Sequence, residues 1–184
     1  AGVNYMLRRP EFLAALATSF APAASRSCAS AMSSIPAVLD AAGNPVSSIK
    51  STFAGKRVAY YFAAGWCPMC TSFEPALLQF RKAAADAEKP LELILVSSDR
   101  SKAEQKSRAA SLQMPQVPFE SAGELKKRFR VWAGAERGAF GNDRRSGVPA
   151  LVVLDPEGNE IGFVPAESKG GASLKEWMLD EGIW

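Results

Sequence analysis

The run Arg57-Val58-Ala59-Tyr60-Tyr61-Phe62-Ala63-Ala64-Gly65-Trp66-Cys67-Pro68-Met69-Cys70 decides the fold. From Val58 to Ala63 it is continuously apolar and aromatic, the pattern of a strand buried on both faces. Gly65 interrupts it. From Pro68 to about Ala87 the apolar residues Phe73, Leu77, Leu78 and Phe80 recur as a helical stripe. Proline in a first helical turn removes an N–H that has no intrahelical partner anyway. Two cysteines three residues apart therefore lie where a buried strand gives way to a helix. A helix N-terminus offers unpaired N–H groups and partial positive charge, which favour a thiolate at Cys67. Cys70, one turn further on the same face, is within disulfide reach and is expected to be the more buried, less acidic sulfur. It is placed to attack a mixed disulfide formed at Cys67. Trp66 flanks the pair with a flat apolar surface. A bare pair at this spacing is as often two buried small hydrophobes; the strand-to-helix setting, Trp66 and Pro68 favour redox chemistry.

Downstream, Leu91 to Val96 reads as a second buried strand and Ser101 to Leu112 as a polar helix, with Ser101 and Glu104 spaced as a capping box. Ala122 to Phe129 is a third helix. Ala150 to Leu154 and Glu160 to Val164 are strands joined by the turn sequence Asp155-Pro156-Glu157-Gly158-Asn159. Ser173 to Leu179 is expected to be a closing helix. Upstream, Ala37-Val38-Leu39, Gly43-Asn44-Pro45 and Val46 read as a short hairpin. Strands alternating with helices, then a late hairpin, predict an α/β fold with a central mixed sheet flanked by helices on both faces.

Composition narrows the chemistry. The chain has no histidine and three cysteines, Cys28, Cys67 and Cys70. Cys–His and Ser–His pairs and His-ligated metals are thereby excluded, and three cysteines cannot complete a closed zinc site. No cofactor and no metal are called for. The net charge of +3 is dispersed along the chain, a solvated surface rather than a nucleic-acid footprint. No apolar run is long enough to span a bilayer. Residues 1–34 are rich in Ala and Ser, with Arg8, Arg9 and Arg26 against one acid, Glu11. That is the composition of an organelle transit segment, and Arg8-Arg9 with Ala29-Ser30-Ala31 also resembles a twin-arginine export signal. The expected residence is a mitochondrion or chloroplast, including the thylakoid lumen, or the cytoplasm if residues 1–34 do not target. The expected organisation is an extension, 1–34, and one domain, 35–184. Cys28 has no partner nearby and is expected to be a spectator.

The segment Tyr60 to Cys70, with Gly55-Lys56 before it, resembles the active-site segment of the tryparedoxin/nucleoredoxin branch of the thioredoxin superfamily. Pro75 matches the proline that kinks the active-site helix there. Met114-Pro115 with Val117-Pro118-Phe119, Gly147-Val148-Pro149-Ala150-Leu151 and Asp155-Pro156-Glu157-Gly158 resemble further family segments in the same order. The resemblance runs from about residue 36 to 165 and implies a thioredoxin fold. It implies a thiol–disulfide oxidoreductase, a protein-disulfide reductase acting through Cys67 and Cys70. Its partners would be protein disulfide substrates and a reducing dithiol or reductase. Pro149 would be cis and face the pair, the backbone of Val148 would pair with an extended substrate, and Trp66, Pro68 and Met69 would border the docking surface.

Three departures stand out. Met69 occupies the place of a second proline in tryparedoxins. Tyr61 occupies the place of a buried aspartate in ordinary thioredoxins, as is usual in the tryparedoxin branch, and leaves the proton acceptor for Cys70 unassigned between water and a neighbouring carboxylate. Residues 132–146 form a long inserted loop, expected beside the redox pair, either selecting partners or covering the site. An alternative reading makes the chain an accessory subunit of a larger organellar complex, docked to stable partner chains through 1–34 and 132–146.

Overall fold

The computed structural model describes residues 36–177 together with 179 and 182. Residues 1–35, hence the extension and Cys28, lie outside the described residues, as do 178, 180, 181, 183 and 184. Among the described residues four strands make one sheet, β1 (Arg57–Ala63), β2 (Leu91–Ser97), β3 (Ala150–Leu154) and β4 (Glu160–Val164), in the order β2-β1-β3-β4. β1 runs parallel to β2 and antiparallel to β3, and β3 runs antiparallel to β4. Every residue of β1, β2 and β3 is buried, as strands covered on both faces require. The helices are α1 (Ile49–Phe53), α2 (Pro68–Asp86), α3 (Lys102–Leu112), α4 (Ala122–Phe129), α5 (Arg137–Phe140) and α6 (Ala166–Lys169).

Side-chain alternation along β1 distributes the two layers. Tyr61 meets Phe73 of α2 at 6.2 Å between ring centroids, whereas Tyr60 and Phe62 meet Phe129 of α4 at 5.8 and 6.2 Å. The helices thus flank a mixed sheet in the thioredoxin arrangement. Tyr60 is fully buried and its hydroxyl finds no hydrogen-bond partner. Tyr60→Phe is therefore expected to keep or raise stability, by up to about 1 kcal/mol, in urea denaturation.

Four expectations change in detail. Leu39 and Pro45 form a single bridge rather than a hairpin, and Leu39 also exchanges backbone bonds of 2.8 Å with Gln116. The Asp40 carboxylate holds the turn, accepting the N–H groups of Ala42 and Asn44. At α3, Ser101 caps the Glu104 N–H, but Glu104 reaches back to the N–H of Arg100 instead of Ser101. On α2, Phe73 and Leu77 are buried and Leu78 faces solvent. The closing helix is a 3-10 turn, Gly170–Glu176, after α6. Gly170 lies at φ 54° and Gly171 follows it. Two adjacent glycines make a regular α-helix expensive, and Trp177 still packs on Phe80 at 5.7 Å.

Candidate active site

α2 begins at Pro68, with Cys67 as its N-cap in extended conformation. The Cys67 carbonyl accepts the N–H groups of Cys70 and Thr71 at 3.0 and 3.1 Å, so the helical ladder starts at the first sulfur-bearing residue. The Cys67 thiol caps nothing; it donates across the site to the carbonyl of Val148, with 3.6 Å between sulfur and oxygen. Cys67 is 5% exposed, Cys70 is fully buried, and both are free thiols. Val148 and Pro149 are buried and joined by a cis peptide bond.

Trp66 is half-buried beside Cys67. Its indole N–H donates to the carbonyl of Ser98 at 2.8 Å, and the Arg100 guanidinium lies 5.8 Å from its ring centre. Pro68 and Met69 are exposed, Met69 at 48%. The fold thus brings Trp66, Cys67 and Val148 to one spot, with Pro68 and Met69 on its outer rim.

A family model described as Thioredoxin-like matches residues 55–160, more than half of the chain. The chain belongs to the thioredoxin-like family. It is 29% identical over 118 residues to nucleoredoxin of Xenopus laevis, covering 64% of this chain and 26% of that protein. Over 111 residues it is 30% identical to nucleoredoxin of Mus musculus, covering 60% and 23%. It spans about a quarter of the curated relatives it matches. Among solved structures, tryparedoxin II from C. fasciculata superposes with a TM-score of 0.54 at 29% identity, covering 76% of this chain and 82% of that one. Tryparedoxin II complexed with glutathionylspermidine gives 0.51 at 30% identity, covering 68% and 78%. The active-site segment and its neighbours in sequence accordingly mark a tryparedoxin/nucleoredoxin-like member of the superfamily.

In this thioredoxin-like site, burial pushes the Cys70 thiol well above its ordinary range; the adjacent Cys67 adds to the rise and Arg108 opposes it. Cys70 therefore stays protonated in the folded dithiol after unfolded cysteine has ionised. Above the ordinary cysteine value the unfolded chain binds fewer protons, so stability falls as pH rises. Between about pH 9 and 10 the slope expected from this one group approaches ~1.4 kcal/mol per pH unit. Denaturation of the reduced protein should show that decline, and Cys70→Ser should flatten it.

Several residues that spacing did not single out support the site. Asp99 is buried and holds the turn before Cys67: its carboxylate accepts the Gly65 N–H at 2.6 Å and the Ser97 hydroxyl at 2.7 Å. Glu167 accepts the Gly147 N–H at 2.5 Å and pairs with Arg144 at 3.3 Å, and Arg144 donates to the Trp132 carbonyl at 3.0 Å. That clamp fixes the backbone entering Val148. A β-carbon at Gly147 would push away the flexible ends of Glu167 and Arg144, so Gly147→Ala should cost about 1–3 kcal/mol, through the lost bond from the Gly147 N–H to the Glu167 carboxylate, in thermal unfolding.

Residues 132–146 are not a structureless loop. They contain a 3-10 turn, Gly134–Glu136, and α5. Trp132 packs against Phe140 with tilted rings, 5.7 Å between centroids, and Glu136 pairs with the buried Lys126 of α4. Glu136 also accepts the Ser98 hydroxyl at 2.8 Å. The segment is thus docked on α4 and forms one wall of a cleft of about 250 Å³, lined by Trp66, Ser98, Asp99, Arg100, Ala135 and Glu136. Among the described residues no cluster of histidine, cysteine or carboxylate side chains is arranged to hold a metal, and no helix is long and apolar enough to cross a membrane.

Proposed function

We propose that this chain reduces or exchanges disulfides in protein substrates, with Cys67 as the attacking sulfur and Cys70 as the resolving one. The observation that carries this reading is the pair of free thiols at the start of α2, the outer one aimed at the Val148 carbonyl beside Trp66. Cys67 attacks one substrate sulfur, releasing the other as a thiolate and leaving a mixed disulfide. Cys70 then attacks the Cys67 sulfur, releasing the second substrate sulfur and closing a Cys67–Cys70 disulfide. Two electrons have passed to the substrate. An external dithiol or a reductase restores the pair; the complex of tryparedoxin II with glutathionylspermidine supports a small peptide-like thiol in that role.

In this reading an extended substrate segment pairs with the Val148 backbone, and Trp66, Pro68 and Met69 supply apolar contact next to the reacting sulfur. The walls of the cleft built by residues 132–146 lie within reach of a substrate seated on Trp66. Organellar residence rests on the composition of residues 1–34 and is tested by locating a fluorescent fusion with and without them. The central test is reduction of insulin by dithiothreitol. Catalytic amounts of the chain should shorten the lag before the freed B chains precipitate; an unchanged lag would refute the reading.

A further inference from the structure

Behind the redox turn lies a buried group of charges that the exchange reaction has not yet used. Glu74 stands four residues after Cys70 on α2, and residues at that spacing share a helix face. Its carboxylate pairs with Arg108 of α3, the two side chains being 15% and 8% exposed. The same oxygen faces the hydroxyl of the buried Tyr61 on β1, which donates to it at 3.4 Å. Arg108 also reaches the turn before Cys67. A β-carbon added at Gly65 would lie 3.2 Å from an Arg108 nitrogen and 3.3 Å from an Asp99 oxygen. One guanidinium therefore stands between the helix that carries Cys70 and the turn that carries Cys67.

The chemistry needs something at this place. Cys70 is fully buried, and a thiol must lose its proton before it can attack. Cys67 cannot take that proton in the second step, because its sulfur is already bound to substrate. The titratable and charged groups whose charge acts on Cys70 are Cys67, Tyr61 and Arg108, with Glu74 and Asp99 acting together with Arg108. Tyr61 is held protonated, chiefly by burial. Both Asp99 oxygens are engaged, by the Gly65 N–H and the Ser97 hydroxyl. That leaves Glu74.

We propose that Glu74 accepts the proton of Cys70 as the mixed disulfide is resolved, with Arg108 and Tyr61 as positioning residues for its carboxylate. This deepens the redox reading above and rests on it. The S–H bond of Cys70 breaks and an O–H bond forms on Glu74. The Cys70 sulfur forms the S–S bond with Cys67 as the bond from Cys67 to substrate breaks. That electron pair leaves on the substrate sulfur, and Glu74 then gives up its proton to water. Burial holds the Glu74 carboxyl above the ordinary carboxylate range while Arg108 pulls it back. A carboxylate so balanced is ionised enough to accept a proton and basic enough to keep it briefly.

The two steps are separable in single turnovers of the full chain with a peptide disulfide, quenched and followed by mass. Formation of the mixed disulfide reports on Cys67, and its decay reports on Cys70. Glu74→Gln should lower the ratio of decay rate to formation rate by about tenfold or more near neutral pH. It should also remove the lower inflection from the pH profile of decay. Glu74→Asp should restore part of the rate. Because Glu74→Gln strands a buried guanidinium, the double variant Glu74→Gln/Arg108→Met provides the same test without an orphan charge, with thermal unfolding to show that it is folded. Folded variants that resolve at the wild-type rate with the wild-type pH profile would overturn the proposal. A wild-type chain that forms no mixed disulfide at all would instead overturn the redox reading itself, and the proposal with it.

Discussion

Cys67→Ser is expected to abolish insulin reduction, lowering turnover by a factor on the order of 10³ or more, while Cys70→Ser accumulates a covalent adduct with substrate. The asymmetry follows from geometry. Cys67 is the N-cap of α2, next to Trp66 and against the Val148 carbonyl, where a substrate sulfur can approach. A serine hydroxyl there stays protonated near neutrality and cannot attack a disulfide. Cys70 is fully buried one turn inward, reachable by the Cys67 sulfur rather than by substrate. Without it the first step proceeds and the second does not, so a mixed disulfide persists. Non-reducing electrophoresis and mass measurement after mixing with a peptide disulfide should show an adduct for Cys70→Ser and none for Cys67→Ser. The reverse pattern would exchange the roles assigned to the two sulfurs.

Phe62→Ala is expected to lose about 3–5 kcal/mol. Phe62 is fully buried on β1, the strand bonded to both β2 and β3, and it meets Phe129 edge-on at 6.2 Å and Tyr60 at 6.4 Å. The cavity left by its ring lies between the sheet and α4, where the fixed register prevents collapse. Against a typical total of about 5–15 kcal/mol, such a loss should be plain as a lower urea midpoint. Leu78→Ala, at a side chain 37% exposed, should change stability by less than about 0.5 kcal/mol. Equal effects at both positions would contradict the packing described for β1.

The strand-to-helix passage was legible because its signals are local. Val58 to Ala63 is apolar throughout, Gly65 breaks it, Pro68 starts the helix, and Cys70 follows Cys67 by three residues. The bounds of α4, β3 and β4 fall on the residues that pattern and turn chemistry indicate. The closing segment differs from its apolar pattern, which suggests a helix, because Gly170-Gly171 disfavours one. The turns inside residues 132–146 are not legible for another reason. Those turns are held by Lys126, Ser98 and a packed Trp132–Phe140 pair, and only the last of these lies within the segment itself.

The sequence by itself determined the α/β class, the family, the place of the two cysteines at a helix start, and the absence of histidine. Each depends on neighbours along the chain or on composition. The family resemblance places Val148 and Pro149 by the pair, Val148 lying 81 residues from Cys67; only the tertiary structure decided the groups behind the sulfurs, such as Arg108 on Glu74 from 34 residues away. Asp99 under Gly65 and Glu167 on Gly147 belong to the same group. Such meetings are set by sheet register and by how α2, α3 and α6 pack. A partner's spacing along the chain carries no trace of them.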